Sequence, residues 1–252
     1  MSSGKNNKSL ITGTALLVLL VVIGAGAWTM LKVLPGRKDF SQTDQADAAS
    51  VTLLTVNTAN AGVSLSPSND SAVHVTATGK YTDSPPTVTT STSGGTITVS
   101  QSCSGDCDIK LDITLPAQLA AKVSSGDSWT TGHDLAGSLD ITTRSGAIDL
   151  TNPSGPLTLK SGSGQIKVAG AGSDTMDATS KDGEVRAAFR AAPTTANVTT
   201  HDGGVDITLP SSDYYIQAQS ANSSPKIDLP IDRNSKHSVT VKTNSGGIDI
   251  HR

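Results

Sequence analysis

The sequence predicts an all-β protein: a β-solenoid of about 20-residue coils, preceded by one N-terminal transmembrane helix. Two observations carry the solenoid. A phrase of the form apolar-x-apolar-x-small-x-x-turn-x-apolar-x-apolar recurs six times, with turn residues Gly146, Gly164, Gly183, Gly203, Pro225 and Gly246, spaced 18, 19, 20, 22 and 21 residues apart. Aromatic residues make up only 3% of the chain while Gly, Ser and Thr are abundant, so the core must close on Val, Ile, Leu and Ala. Repeats too small to fold alone imply stacked coils that share one core. The third observation is an uncharged run from Leu10 to Leu31.

That run is long enough to cross a hydrocarbon layer of roughly 30 Å at 1.5 Å per residue. Trp28 and Lys32 stand where interfacial anchors belong. The expected order is a cytoplasmic tail at 1–9, a signal-anchor helix at 10–31, a polar linker at 32–50 and an extracytoplasmic β-repeat domain at 51–252. A cleaved signal peptide ending near Ala25-Gly26-Ala27 is the alternative, but hydrophobicity continues past it to Leu31. The expected location is the cell membrane, single-pass, with the β domain outside. All 22 acidic residues lie from Asp39 onward, against 14 basic ones there. A net-acidic body without basic patches gives no support to nucleic-acid binding.

Cys103 and Cys107 are the only cysteines, spaced C-x3-C. In an exported chain the default is a disulfide across that short loop. Zinc needs three or four ligands, and no histidine or second cysteine pair lies near in sequence. No metal or cofactor is expected.

From Val51 the text becomes short alternating runs. Leu54, Val56, Thr58, Ala61, Val63 and Leu65 keep the repeat frame, with Ala61 at the turn. Val88, Thr90, Thr92, Gly95, Ile97 and Val99 keep it too. Around Gly126 the first half fits through Leu119, Ala121 and Val123, and the second half fails at Ser128. Each coil reads as two strands joined at the turn. Positions seven and five before it, and two and four after it, point inward. Glycine at the turn suits a positive φ, and Pro225 departs from that pattern. Residues seven before the turns align Met176, Ala196, Ala218 and Val239 in consecutive coils.

Three residues after the turns, an outward stripe runs Asp149, Lys167, Arg186, Asp206, Asp228, Asp249. It reads as a solubilising mixed-charge stripe. The consecutive aspartates Asp206, Asp228 and Asp249 are also a candidate cation or ligand contact. Trp129, Tyr214 and Tyr215 are further candidate contact residues, because aromatic platforms suit carbohydrate or protein partners. Arg186 between Lys167 and Asp206 is the one enzyme-like grouping. His74, His133, His201, His237 and His251 form no metal spacing, and no nucleophile elbow, phosphate loop or zinc-protease motif occurs. Ser161-Gly162-Ser163-Gly164 precedes a strand, so it reads as a tight turn.

The motifs resemble the bacterial DUF4097 group, often labelled adhesins. The matching text is the segment Cys103–Cys107 leading to Ile113-Thr-Leu-Pro116, then the turns Arg144-Ser-Gly-Ala-Ile148, Ser161-Gly-Ser-Gly-Gln-Ile166, Asp182-Gly-Glu-Val185 and Asn244-Ser-Gly-Gly-Ile248. The resemblance covers roughly residues 85–252. It implies a strand-repeat surface domain and carries no catalytic residue set. The expected function is a non-enzymatic, membrane-anchored, adhesin-like interaction module with a protein or envelope-polysaccharide partner. One alternative is an envelope-stress sensor or scaffold that pairs with a partner membrane protein through its final strand, Gly247–Arg252. A second is a β-helix polysaccharide-active enzyme.

Overall fold

Alternation with a turn every few residues leaves the chain no choice but short strands, and the computed structural model, which describes residues 36–252, has 21 of them in that range. The first seven are β1 (Lys38–Asp47), β2 (Leu53–Thr58), β3 (Gly62–Ser68), β4 (Ala72–Tyr81), β5 (Thr87–Ser93), β6 (Thr96–Ser102) and β7 (Cys107–Pro116). Coil pairs follow: β8 (Ala120–Ser125) with β9 (Thr130–His133), β10 (Leu139–Thr143) with β11 (Ile148–Thr151), β12 (Leu157–Ser161) with β13 (Ile166–Ala171), and β14 (Thr175–Ser180) with β15 (Val185–Phe189). The last are β16 (Thr195–Thr200) with β17 (Val205–Thr208), β18 (Tyr215–Ser220) with β19 (Lys226–Ile227), and β20 (Ser238–Thr243) with β21 (Ile248–His251). One sheet runs β1-β4-β7-β3-β9-β11-β13-β15-β17-β21-β19, and the other runs β18-β20-β16-β14-β12-β10-β8-β2-β6-β5. We call them the first and the second sheet. Residues 1–9 and 10–31, expected as tail and membrane span, lie outside the described residues. Among the described residues no helix is long and apolar enough to cross a membrane.

The central coils pair as the repeat frame predicts. Leu139 faces Leu157, Leu157 faces Met176 and Met176 faces Ala196 in parallel ladders. Across the core, Ile148, Ile166, Val185 and Val205 align likewise. Leu150, Ile141 and Ile207 are fully buried between the sheets. The turn glycines serve a different purpose from the one expected. Gly146, Gly164, Gly183, Gly203 and Gly246 are not among the residues with positive φ. A Cβ on any of them would overlap the carbonyl oxygen of the turn residue one coil below. They are glycine because the backbones touch.

Three residues before each turn sits a buried hydroxyl that secures the contact. Ser161 Oγ accepts the Gly164 N–H at 2.9 Å, Ser180 Oγ accepts that of Gly183 at 3.0 Å, and Thr243 Oγ1 that of Gly246 at 3.0 Å. The same hydroxyls donate to turn carbonyls: Ser161 to Gly146 at 3.3 Å and Thr243 to Gly203 at 3.2 Å. The small position of the phrase is thus a polar stitch inside an apolar core, and its bonds offset its burial.

Four expectations need correction. First, the stretch expected as a linker holds β1, which pairs with β4 over ten residues. Its inward residues include Gln42 and Asp44, so it lacks the apolar alternation of a core strand and is held by the open edge of its neighbour. Second, Val88–Val99 is not a coil. β5 and β6 form an antiparallel hairpin in one sheet, because Gly94 and Gly95 both take positive φ, 57° and 73°, as a two-residue type I′ loop requires. Third, the coil near Gly126 turns at Ser128: Ala121 faces Leu139 and Thr130 faces Ile148. Fourth, the Pro225 coil is shifted by two residues and lies last in space. Ile216, not Ala218, faces Val239, and Ala196 also faces Val239. The final sequence coil therefore inserts between its predecessors. β21 lies between β17 and β19, so the segment 247–252 is not an exposed edge.

Two substitutions test the packing account. Gly164→Ala is expected to cost about 1–3 kcal/mol, since the coils cannot part locally. Thr130 is fully buried, and its hydroxyl has no partner. Thr130→Val is expected to gain about 1 kcal/mol by removing an unsatisfied group at constant shape. Urea midpoints at unchanged m-value read both.

Candidate functional site

The outer face of the first sheet carries two outward columns beside the turns. The column nearest the turns runs from Trp129 through Ala147, Gln165 and Glu184, each carbonyl accepting a ladder bond. The next column runs Thr131, Asp149, Lys167, Arg186, Asp206, Asp249 in register. Trp129 is the one large side chain at the head of this face, 40% exposed. Its indole rests on Gly62 of the adjacent strand. A methyl group on Gly62 would lie 2.6 Å from ring atoms Cε2 and Cζ2. Gly62 thus makes room for the ring, which stays partly exposed. Its register neighbours on this face are small or polar: Ala147 just before β11, and Thr131 with Ser64 opposite it two residues along. Beyond Gly62 lies the Lys110–Asp112 ion pair at 2.6 Å, and on the other side the Lys167–Asp149 pair at 3.3 Å. The platform is an apolar disc between two charged pairs.

The other sequence candidates fall elsewhere. Tyr214 is fully buried, and its hydroxyl donates to the Pro210 carbonyl at 2.9 Å. Its ring tilts against His237 at 5.9 Å between centroids, and burial raises its pKa. It seals the end coil and is not a contact residue. Tyr215 is half-buried and accepts a bond from Gln217 Nε2 at 2.8 Å. The aspartate trio does not assemble. Asp206 and Asp249 are ladder neighbours, but Lys226, not Asp228, faces Asp249 and pairs with it at 3.2 Å. His251 Nε2 meets Asp206 Oδ1 at 3.0 Å. The two-residue shift of the Pro225 coil is the cause. Among the described residues no three His, Cys, Asp or Glu side chains converge to hold a metal.

Arg186 lies between Lys167 and Asp206 as expected, and its Nε donates to Glu184 at 2.9 Å. Such exposed pairs contribute about 1 kcal/mol at most. The resolved carboxylate shifts are all downward. Hydrogen bonds from Ser68, and then His74, hold Asp70 at about 2. The Arg144 guanidinium lowers Asp127, Asn152 and then His133 lower Asp134, and His201 with Ser245 lowers Asp202. In each case a hydrogen bond to the charged form is the largest cause.

Cys103 and Cys107 are joined in a disulfide, with Cα atoms 6.5 Å apart. Asp106 in its loop accepts from Arg37 at 2.7 Å, and the Asp106 carbonyl accepts from Thr82 at 3.1 Å. The staple therefore braces the start of β1. One feature escaped sequence reasoning. Asp134, Asn152 and Gly170 stack at one corner with φ of 55°, 54° and 66°, and Asn152 Nδ2 donates to Asp134 at 3.0 Å. The signal was present: Asp, Asn and Gly, the residues that tolerate the left-handed region, six residues after successive turns.

A family model described as Toastrack DUF4097 matches residues 102–251. Among solved structures, the chain is similar to a "putative adhesin" from Bacteroides fragilis at 15% identity and a TM-score of 0.52, over 86% of this chain and 99% of that one. A "putative adhesin" from Parabacteroides distasonis aligns at 11% identity and a TM-score of 0.49, over 83% and 97%. A "putative cell adhesion protein" from Clostridium sporogenes aligns at 12% identity and a TM-score of 0.42, over 85% and 99%. At 15% identity the likeness to the Bacteroides fragilis protein concerns the fold alone. No curated protein matches the sequence significantly.

The His251–Asp206 pair gives a pH prediction. The Arg252 carbonyl, and then Asp206, raise the His251 pKa above its ordinary 6.5. A raised folded pKa means stabilisation that is complete below about 6.5 and is lost as pH rises through the folded value. The imidazole resonances of His251 should titrate above those of a free histidine. His251→Gln should flatten the stability profile in that window and leave it unchanged at higher pH.

Proposed function

The chain belongs to the Toastrack DUF4097 family, and from that premise we propose that it is a non-enzymatic, adhesin-like interaction module held at the cell envelope. Residues 10–31 serve as the anchor in this reading, with the solenoid on the extracytoplasmic side. The observation that carries it is Trp129, seated against Gly62 and 40% exposed on the outer face of the first sheet. Aromatic rings so placed supply contact area at low entropic cost. The flanking Lys110–Asp112 and Asp149–Lys167 pairs, with Thr131, offer hydrogen-bonding groups around the disc. That combination suits a surface polysaccharide, whose rings present an apolar face edged by hydroxyls. The adhesin descriptions of the structural neighbours agree with this reading. Partner capture by the final strand is not retained, since β21 is internal. Arg186 and Asp206 are each engaged in a pair of their own, with Glu184 and His251, which favours a charged surface stripe over a polysaccharide-active site.

The test uses the full chain in vesicles, with insoluble peptidoglycan and mucin as probes. Trp129→Ala is expected to weaken binding about tenfold or more, equivalent to ~1.4 kcal/mol, while Trp129→Phe keeps part of it. Equal binding by wild type and Trp129→Ala on every probe they bind would remove the platform from the reading.

A further inference from the structure

Among the described residues the stack ends in two edge strands, β18 on the second sheet and β19 on the first, each paired on one side only. β18 reads Tyr-Ile-Gln-Ala-Gln-Ser, with no charge and no proline. The opposite end is different. β1 carries Lys38, Asp39, Asp44 and Asp47. Gln42 Nε2 donates to the Val88 carbonyl at 3.0 Å and Thr90 Oγ1 to Asp44 at 3.2 Å, so polar groups close across the gap between β1 and β5. Charged and polar-capped edges resist strand addition, whereas a plain uncharged edge invites it.

The direction of the backbone groups on β18 follows from its bonds to β20. Tyr215 N–H donates to His237 O at 2.8 Å, and Ala221 N–H to Thr243 O at 3.3 Å. Odd-numbered residues therefore turn their N–H and C=O toward β20, and even-numbered ones turn theirs to the free edge. Tyr214 is occupied there, its carbonyl accepting the Asp232 N–H at 2.8 Å. Ile216, Ala218 and Ser220 remain, with no partner on that edge among the described residues. Ala218 points into the core yet is half-buried, while Val241 beside it on β20 is fully buried. The inner face is thus less covered at Ala218 than at its neighbour on β20.

We propose that β18 pairs antiparallel with β18 of a second copy, about a twofold axis at Ala218. This register uses all three free residues: Ala218 faces Ala218 of the second copy, and Ile216 faces its Ser220. It keeps inward residues on the core side, as the period of two demands. Gln217 then lies opposite Gln219 of the second copy on the outer face. No like charges meet, because the strand has none. A slip toward Tyr214 is blocked by the Ile231–Asp232 segment already bridged there. The twofold reverses the stack, so the two β1 strands end at opposite extremes of a doubled solenoid. One short ladder makes a small interface, so the association is weak singly and gains from many copies presented together. This proposal is independent of the Trp129 platform.

The test uses the full chain in detergent micelles. Gln217→Cys with Gln219→Cys in one chain is expected to give a disulfide-linked dimer under mild oxidation. Thr158→Cys with Lys160→Cys, at the same spacing on β12 in mid-stack, is expected to give none. Ala218→Pro removes the central outward N–H and spares the β20 ladder, so sedimentation should show loss of the dimer with an unchanged circular dichroism spectrum. Gln217→Lys with Gln219→Lys should weaken dimerisation at least tenfold, and Gln217→Lys with Gln219→Glu should restore it, a rescue that folding damage does not produce. Absence of the Gln217/Gln219 cross-link at the highest soluble concentration would overturn the proposal. So would a dimer indifferent to both Ala218→Pro and the paired lysines, or a cross-link formed only with another protein.

Discussion

Everything in this solenoid depends on how closely the backbones of successive coils approach at the turns. Gly164, Gly183 and Gly203 each lie against the carbonyl of the turn below, where no Cβ fits. Close approach at that corner fixes the height of one coil on the next, and the parallel ladders on both sides inherit it. The hydroxyl three residues earlier, as in Ser161 and Ser180, then binds its own turn N–H and a turn carbonyl. Steric contact and a hydrogen bond at one point thereby set register for the whole coil. With the spacing fixed there, the core needs only modest side chains, and an interior of Val, Ile, Leu and Ala suffices.

The same constraint explains which parts of the fold were legible. Where glycine holds the turn, the sequence marks it, and the frame from Leu139 to Val205 is correct in both sheets. Apart from the β5–β6 hairpin, which is no coil, the frame fails at two coils, and both errors are two residues long. Ser128 is the true turn where Gly126 is the obvious one, and Ser223 stands where Pro225 was expected, its N–H bound to Ser220 Oγ at 3.2 Å. A two-residue slip leaves every side chain on its own face, so alternation cannot expose it. The hydroxyl three residues before the turn would have: Ser125 precedes Ser128 and Ser220 precedes Ser223 at that spacing. The spatial order of the last two coils was not legible at all. It depends on which of the two coils takes the one edge left open by β16 and β17, and both coils carry a compatible inward pattern.

The two ends of the stack show how local sequence is subordinate to available edges. β1 has no core pattern, yet it is a ten-residue strand because β4 offers it an unpaired backbone. Its charges then make it a poor template for anything further. At the other end the chain lays β18 and β19 outermost and returns to insert β20 and β21 beneath them. Tyr214 seals that coil by burial, with His237 tilted against its ring and bound to the Pro193 carbonyl at 2.8 Å. Leu209 and Leu229, in the connections on either side of this coil, are buried with it.

Alternation also decides the candidate site more sharply than residue type does. Tyr214 and Tyr215 are neighbours in an extended chain, so one of the pair must turn inward. The buried one is Tyr214, because it aligns two residues before Ile216 on the core side. Trp129 precedes Thr130, an inward residue, and so must face out. Once the turn is placed at Ser128, its exposure follows without reference to chemistry. What the sequence could not supply was the partner across the strand. Gly62 lies 67 positions earlier in the chain, and only the ladder from Val63 to Trp129 brings it under the indole. Had any other residue stood at position 62, its side chain would occupy the space the ring now fills. The exposed aromatic surface therefore belongs to a pair of residues, and a glycine without contact chemistry of its own determines whether the tryptophan presents a face.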